Sequence, residues 1–330
     1  MLKTGVLVVN LGTPEAPTRS AVRRYLREFL SDHRVIEIPQ FIWLPLLHAI
    51  ILPFRATKSA RKYAKIWTAE GSPLQVHTAR LAKLLKGYLG ERTSTPLEVA
   101  YAMRYGSPSV DSVLARMLKQ GCQRIVVCPL YPQYAASSTA SVFDAVTLAL
   151  QRVRDLPALH FIKSYHNQAL YISALAQSVR DYWQVHGRPQ KLLISFHGVP
   201  KRTVKLGDPY QTQCEQTGTA LAAALSLAPE QYQLSYQSRF GRASWLEPAT
   251  AALLETWGKE NLNRVDVICP GFVSDCLETL EEIEIEGRAV FLRAGGGELR
   301  YIPALNERDD WIKALCAVIL ASCPGWFAPR

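Results

Sequence analysis

Apolar runs alternate along the whole chain with stretches whose apolar residues recur at helical spacing, the pattern of a parallel sheet covered by helices. The first unit shows it well. Gly5–Leu11 reads as a strand and Gly12-Thr13-Pro14 as a turn, after which Val22, Tyr25, Leu26, Phe29 and Leu30 mark one helix face. Further strands are expected near Val99–Tyr105, Arg124–Tyr131 and Leu159–Ser164, then near Leu192–His197, Gln233–Phe240, Val265–Phe272 and Arg300–Ile302. That makes four and four.

The two halves share words in the same order. Met103-Arg104-Tyr105-Gly106 is echoed by Ser238-Arg239-Phe240-Gly241, Val126-Val127-Cys128-Pro129-Leu130-Tyr131 by Val267-Ile268-Cys269-Pro270-Gly271-Phe272, and Gly12-Thr13-Pro14 by Gly198-Val199-Pro200. The spacing gives the first half about 50 extra residues. Two similar doubly wound α/β domains are therefore expected, 1–186 and 187–330, with the boundary in the polar stretch His186-Gly187-Arg188-Pro189 and the last helix packing back on the first domain. In such sheets ligands collect beyond the carboxyl ends of the strands. Those ends hold Asn10/Leu11, Arg104/Tyr105, Tyr131, His197 and Phe272/Asp275, which should line a cleft between the domains.

Composition narrows the class. The 330 residues are 48% hydrophobic and 20% charged, which excludes disorder, collagen-like repeats and a membrane bundle. The net charge of +10 suits an anionic partner without choosing among lipid head groups, nucleic acid and a carboxylate-bearing substrate. Seven cysteines with no C-x-x-C fit a reducing cytoplasm better than a disulfide framework or a structural zinc site. The N-terminus carries no signal-peptide pattern. The extra segment, about 35–75, contains the longest apolar stretch, Phe41–Phe54, broken by Pro45, His48 and Pro53 and too short to cross a bilayer. A buried helix or loop is the plain reading, but two prolines and the following Arg55, Lys58, Arg61, Lys62 and Lys65 suit an apolar lip for a greasy acidic ligand or an anionic membrane surface.

The usual nucleotide-binding loops, the G-x-S-x-G elbow and H-E-x-x-H are missing. His197 is the most informative histidine, because it closes the apolar run Leu192–Phe196 at a strand tip and Gly198 follows it. That address suits metal or proton work as well as a structural imidazole. Asp275 is a helix N-cap candidate, and Glu278, Glu282 and Glu286 follow at i, i+4, i+8 on one face. Such a row is either an acidic solvated face or a ladder of oxygen ligands handing a hydrated divalent cation inward to His197. Arg104, Tyr105, Tyr131, Tyr134 and the hydroxyls Ser137, Ser138, Thr139 and Ser141 describe an aromatic cleft with polar handles.

Phe196-His197-Gly198-Val199-Pro200, Gly207-Asp208-Pro209-Tyr210, Gln237-Ser238-Arg239-Phe240-Gly241 with Trp245-Leu246, and Asp275-Cys276-Leu277-Glu278-Thr279-Leu280 resemble the ferrochelatase family. Asn10-Leu11-Gly12-Thr13-Pro14 and Leu130-Tyr131-Pro132-Gln133-Tyr134 extend the resemblance over nearly the whole chain, closest to the proteobacterial protoporphyrin type. It implies two Rossmann-like domains, each a four-stranded parallel sheet flanked by helices, with a porphyrin cleft between them. The implied activity is insertion of Fe²⁺ into protoporphyrin IX to give protohaem, the terminal step of haem synthesis. By motif position, His197 and Glu278 are catalytic and metal-handling, Glu282 and Glu286 a delivery row, and Leu11, Arg104, Tyr105 and Tyr131 substrate-binding.

The resemblance further implies a cytoplasmic monomer with no nucleic-acid partner, whose lip meets the inner-membrane surface or the preceding oxidase. Fe²⁺ is substrate, and no tightly bound cofactor is expected. Animal members hold a [2Fe–2S] cluster. Here Ala136 stands at the first cysteine position and only Cys316 and Cys323 remain near the C-terminus, so no cluster is expected. Cys276 replaces a histidine found in some members. The rival functions are a chelatase for coproporphyrin or for sirohydrochlorin and cobalt, and a non-catalytic haem-binding protein.

Overall fold

The computed structural model describes residues 2–241 and 243–330. Among the described residues, eight strands form two parallel sheets. In one, β1 (Thr4–Gly12), β2 (Leu97–Tyr105), β3 (Arg124–Pro129) and β4 (Ala158–Phe161) lie in the order β2-β1-β3-β4. In the other, β5 (Lys191–His197), β6 (Tyr232–Gln237), β7 (Arg264–Ile268) and β8 (Glu298–Tyr301) repeat that order as β6-β5-β7-β8. Every expected strand is present, and the α/β class with two sheets of four is as read from the pattern. The cause is burial on both faces, which turns a central parallel strand into an unbroken apolar run. Val6 to Val9 of β1 are wholly buried, as are Leu193 and Ile194 of β5.

The chain divides into two compact units, residues up to 164 with 312–330, and residues 165–311. The division falls ahead of the helix Ala169–His186, whereas the polar stretch after that helix was the expected boundary. Tyr171 Oη donates to the Pro270 carbonyl at 2.5 Å and Trp183 Nε1 to Asp266 Oδ2 at 2.8 Å, which tie this helix to the second sheet. In the first unit, Ser94 N donates to the Ala328 carbonyl at 2.9 Å and Thr93 Oγ1 to the same carbonyl at 2.7 Å, holding the C-terminal segment. All seven cysteines are buried and unbridged.

The repeat is structural as well as verbal. Asn10 pairs with Met103 across β1 and β2, as Phe196 pairs with Tyr236 across β5 and β6. Met103 N donates to the Pro108 carbonyl and Tyr236 N to the Pro248 carbonyl. This match makes Leu11 the counterpart of His197, Gly12 of Gly198, and Arg104 of Gln237. The verbal echo of Arg104 in Arg239 is therefore displaced by two residues, because the loop after β6 is longer than the loop after β2. Arg239 serves that loop instead, its Nη2 donating to the carbonyls of Trp245 at 3.3 Å and Leu246 at 3.1 Å.

The lip departs from its expected form. Gln40–Leu46, the π-helical turn Leu47–Ile51 and Leu52–Ile66 run on as one helical stretch, so the prolines do not break it. Pro45 lacks an N–H to give to the preceding turn, and the wider i→i+5 turn that follows re-forms the ladder. At 27 residues the stretch reaches by length and composition what a membrane span needs, although the apolar run within it is shorter. Its second part is amphipathic: Leu52, Ala56, Ala60, Tyr63 and Ile66 are buried, and the Tyr63 ring meets Tyr25 edge-on at 6.4 Å. Phe41 and Phe54 are 80% and 76% exposed.

Candidate active site

His197 ends β5, where the chain must turn away beneath β6. A Cβ on Gly198 would stand 2.7 Å from the Gln237 carbonyl, so only glycine fits there. His197 Nδ1 lies 2.7 Å from the Gly198 carbonyl oxygen. A carbonyl only accepts, so Nδ1 carries a proton and Nε2 is the ring nitrogen left for chemistry. The half-buried ring lies 6.3 Å from the Phe272 ring, centroid to centroid.

Glu278 opens the segment that follows β7. Leu277–Gly287 is a π-helix, where the i, i+4, i+8 spacing had suggested an α-helix. π-turns are rare and concentrate at functional sites. The row grades outward: Glu278 and Glu282 are half-buried and Glu286 is exposed. Gln237 Nε2 donates to the Glu278 carbonyl at 2.8 Å, while Gln237 Oε1 accepts from Ser195 Oγ at 2.8 Å, so a buried amide ties the first π-turn to β5 and β6. Cys276 is buried, and burial pushes its thiol up, helped by the Glu278 carboxylate beside it.

Glu282 connects the group. Its Oε1 accepts from Ser238 N at 2.6 Å and its Oε2 from Ser238 Oγ at 2.5 Å. Burial raises its carboxyl above the ordinary range and the nearby Glu278 adds to this, while the Ser238 hydrogen bonds and the charge of His197 work the other way. The structure therefore brings His197, Glu278 and Glu282 within one electrostatic neighbourhood. Asp275 is tied down as a structural anchor: Tyr301 Oη donates to its Oδ1 at 2.6 Å and Asn306 Nδ2 to its Oδ2 at 2.7 Å. Glu281, which the spacing argument passed over, is only 1% exposed.

The remaining expected residues belong to the first unit. Leu11 is half-buried at the end of β1, and Tyr131 packs against the core beside β3. Arg104 and Tyr105 converge on Asp32, which sequence reasoning missed. Asp32 Oδ2 accepts from Arg104 Nη2 at 2.5 Å, Tyr105 Oη at 2.8 Å and Ser141 Oγ at 2.6 Å. Burial opposes the Asp32 charge, but the Ser141, Arg34 and Tyr105 donors and the Arg104 charge outweigh it and hold the carboxyl below its usual range. Arg104 Nε also donates to the Ser141 carbonyl at 2.9 Å, so two edges of the guanidinium are fixed. Tyr105 is 1% exposed, and its hydroxyl faces Asp32. Near these strand ends a concavity of about 690 Å³ is lined by Thr13, Pro14, Tyr25, Leu44, His48 and Gly106. Its size suits a small-molecule site, and its wall carries charges of both signs, Arg24 and Arg27 with Glu15 and Glu28, Arg24 being paired with Glu15 at 2.8 Å.

Two parallel-sheet units with this strand order make a two-fold repeated, doubly wound α/β fold, one that solved structures share. SirB from Bacillus subtilis with Fe³⁺ has a TM-score of 0.57 at 13% identity, the likeness covering 99% of both chains. CbiX, described as the terminal enzyme for biosynthesis of sirohaem in denitrifying bacteria, has a TM-score of 0.53 at 11% identity over 97% of this chain and 99% of its own. Such distant likenesses carry the fold alone. The sequence goes further. The Ferrochelatase family model matches residues 3–322. Ferrochelatases of Aromatoleum aromaticum and Herminiimonas arsenicoxydans are 57% and 58% identical, each over 98% of this chain and covering 89% and 88% of their own lengths. The chain belongs to the ferrochelatase family, the metal-inserting lyases that place iron in a porphyrin for haem synthesis.

Proposed function

We propose that this chain inserts Fe²⁺ into protoporphyrin IX, with His197 and Glu278 acting on the metal and the pyrrole protons. The observation that supports this most directly is an imidazole whose Nδ1 is engaged by the Gly198 carbonyl, leaving Nε2 for chemistry beside the carboxylates of a π-helix. Insertion must remove two pyrrole protons and admit a hydrated dication. A neutral imidazole accepts a proton or binds a borderline metal, and Glu278 serves as the neighbouring acceptor or oxygen ligand. Glu282 and Glu286 extend the oxygen row toward solvent as a delivery path. Leu11, Arg104, Tyr105 and Tyr131 form the ring-binding part. Within it, Arg104 and Leu11 reach the ligand, while the buried Tyr105 stiffens Arg104 through Asp32.

The absence of an iron–sulfur cluster is part of the same reading, supported by Ala136 and the C-terminal pair Cys316 and Cys323. So are a cytoplasmic monomer and a peripheral membrane contact through the lip, supported by Phe41 and Phe54 beside a basic helix. Replacing both phenylalanines by serine is expected to lower co-sedimentation with anionic phospholipid vesicles several-fold at unchanged turnover in detergent. Equal sedimentation of both proteins would remove the lip from the membrane.

The substrate is tested by mixing purified chain, without oxygen, with Fe²⁺ and either metal-free protoporphyrin or metal-free coproporphyrin. The absorption spectrum should convert over many turnovers with protoporphyrin and much more slowly with coproporphyrin. Stoichiometric binding of ready-made haem without turnover would instead mark a haem carrier.

A further inference from the structure

We infer that Ser238 is a positioning residue for metal delivery, acting through Glu282. Ser238 adopts a backbone φ of +65°, in the left-handed region that a side chain disfavours. Strain of this kind survives where neighbouring structure over-determines it. Here it has a visible result. The turn points both the N–H and the hydroxyl of one residue at the two oxygens of one carboxylate, at 2.6 Å and 2.5 Å. Without those two donors a flexible glutamate in a π-helix would sample several rotamers. With them, Glu282 is fixed as the middle step of the row, facing Glu278 and the charge of His197. The residue before it, Gln237, holds the Glu278 carbonyl, so the end of β6 sets two successive rungs.

This inference rests on reading Glu282 as a member of the delivery row. Ser238→Ala removes the hydroxyl and keeps the strain, whereas Ser238→Gly removes the hydroxyl and relieves it. The full chain is assayed anaerobically in steady state with protoporphyrin and Fe²⁺, and thermal unfolding is followed in parallel. Both variants should raise KM for Fe²⁺ at least about threefold, the low end for losing a hydrogen bond to a charge. KM for porphyrin should stay within about twofold, since nothing holding the ring has changed. Ser238→Gly should melt at or above the parent temperature while remaining impaired. A purely structural serine would not combine a higher melting point with a weaker metal KM.

Glu282→Gln separates the two layers of the argument. If it is impaired while both Ser238 variants keep parental constants, the positioning role is overturned and the row survives. If Glu282→Gln is itself kinetically unchanged, the row falls and the inference falls with it. Ser238→Ala combined with Glu282→Gln should be no worse than Glu282→Gln alone, because the serine acts only through that carboxylate. Losses that multiply would overturn the assignment.

Discussion

Replacing His197 by alanine is expected to lower the turnover of iron insertion about 10²-fold or more, the low end for removing a general base. The loss follows from geometry. The Gly198 carbonyl accepts from Nδ1, so Nε2 is the ring nitrogen left to take a proton or a metal. Glu278→Ala is expected to cost a similar factor while leaving porphyrin affinity near that of the parent, because the glutamate belongs to the second unit and the residues proposed to bind the ring belong to the first. Anaerobic turnover with both substrates saturating, alongside porphyrin fluorescence quenching, separates the two effects. Near-parental turnover in both variants would reject this chemistry.

Gly12→Ala is the substitution expected to damage the fold most for the smallest change in side chain. Its backbone lies at φ +110°, and a Cβ there would stand 1.8 Å from the Tyr105 carbonyl oxygen. No rotamer relieves such an overlap, since the backbone fixes the position of the Cβ and the atom it meets is a main-chain oxygen. The ends of β1 and β2 must part, at a cost of about 3 kcal/mol or more from strain and overpacking together. Parting them moves Tyr105 and Arg104 off Asp32, so ring binding should weaken along with stability. Thermal unfolding and porphyrin affinity measured on the same preparation test this. A variant with the parental melting point would show that the strand ends yield more easily than the close approach implies.

How far the pattern of residues announced these features depended on sequence distance. The strands were legible because buried parallel strands leave a local trace, and His197 stood out because a polar ring closes an apolar run before glycine. Asp32 left no trace. Its value lies in meeting Arg104, 72 positions away, and Ser141, 109 away. Ser238 likewise matters through a partner 44 positions on. The π-helix was hidden for another reason: the glutamate spacing is compatible with either i→i+4 or i→i+5 winding, and packing of the first turn against Gln237 belongs to tertiary structure. The helix Ala169–His186 shows the same limit, because an apolar face does not say which sheet it will cover.

The seven buried cysteines have a practical bearing. Cys128, Cys214, Cys269 and Cys276 are held by burial well toward the protonated form, and Cys122, Cys316 and Cys323 are shifted the same way. Alkylating reagents need an accessible thiolate. In this protein they therefore report opening of the fold rather than its surface, with Cys122, Cys128, Cys316 and Cys323 reading one unit and Cys214, Cys269 and Cys276 the other. The chain carries its own pair of clocks for asking whether the two units come apart together.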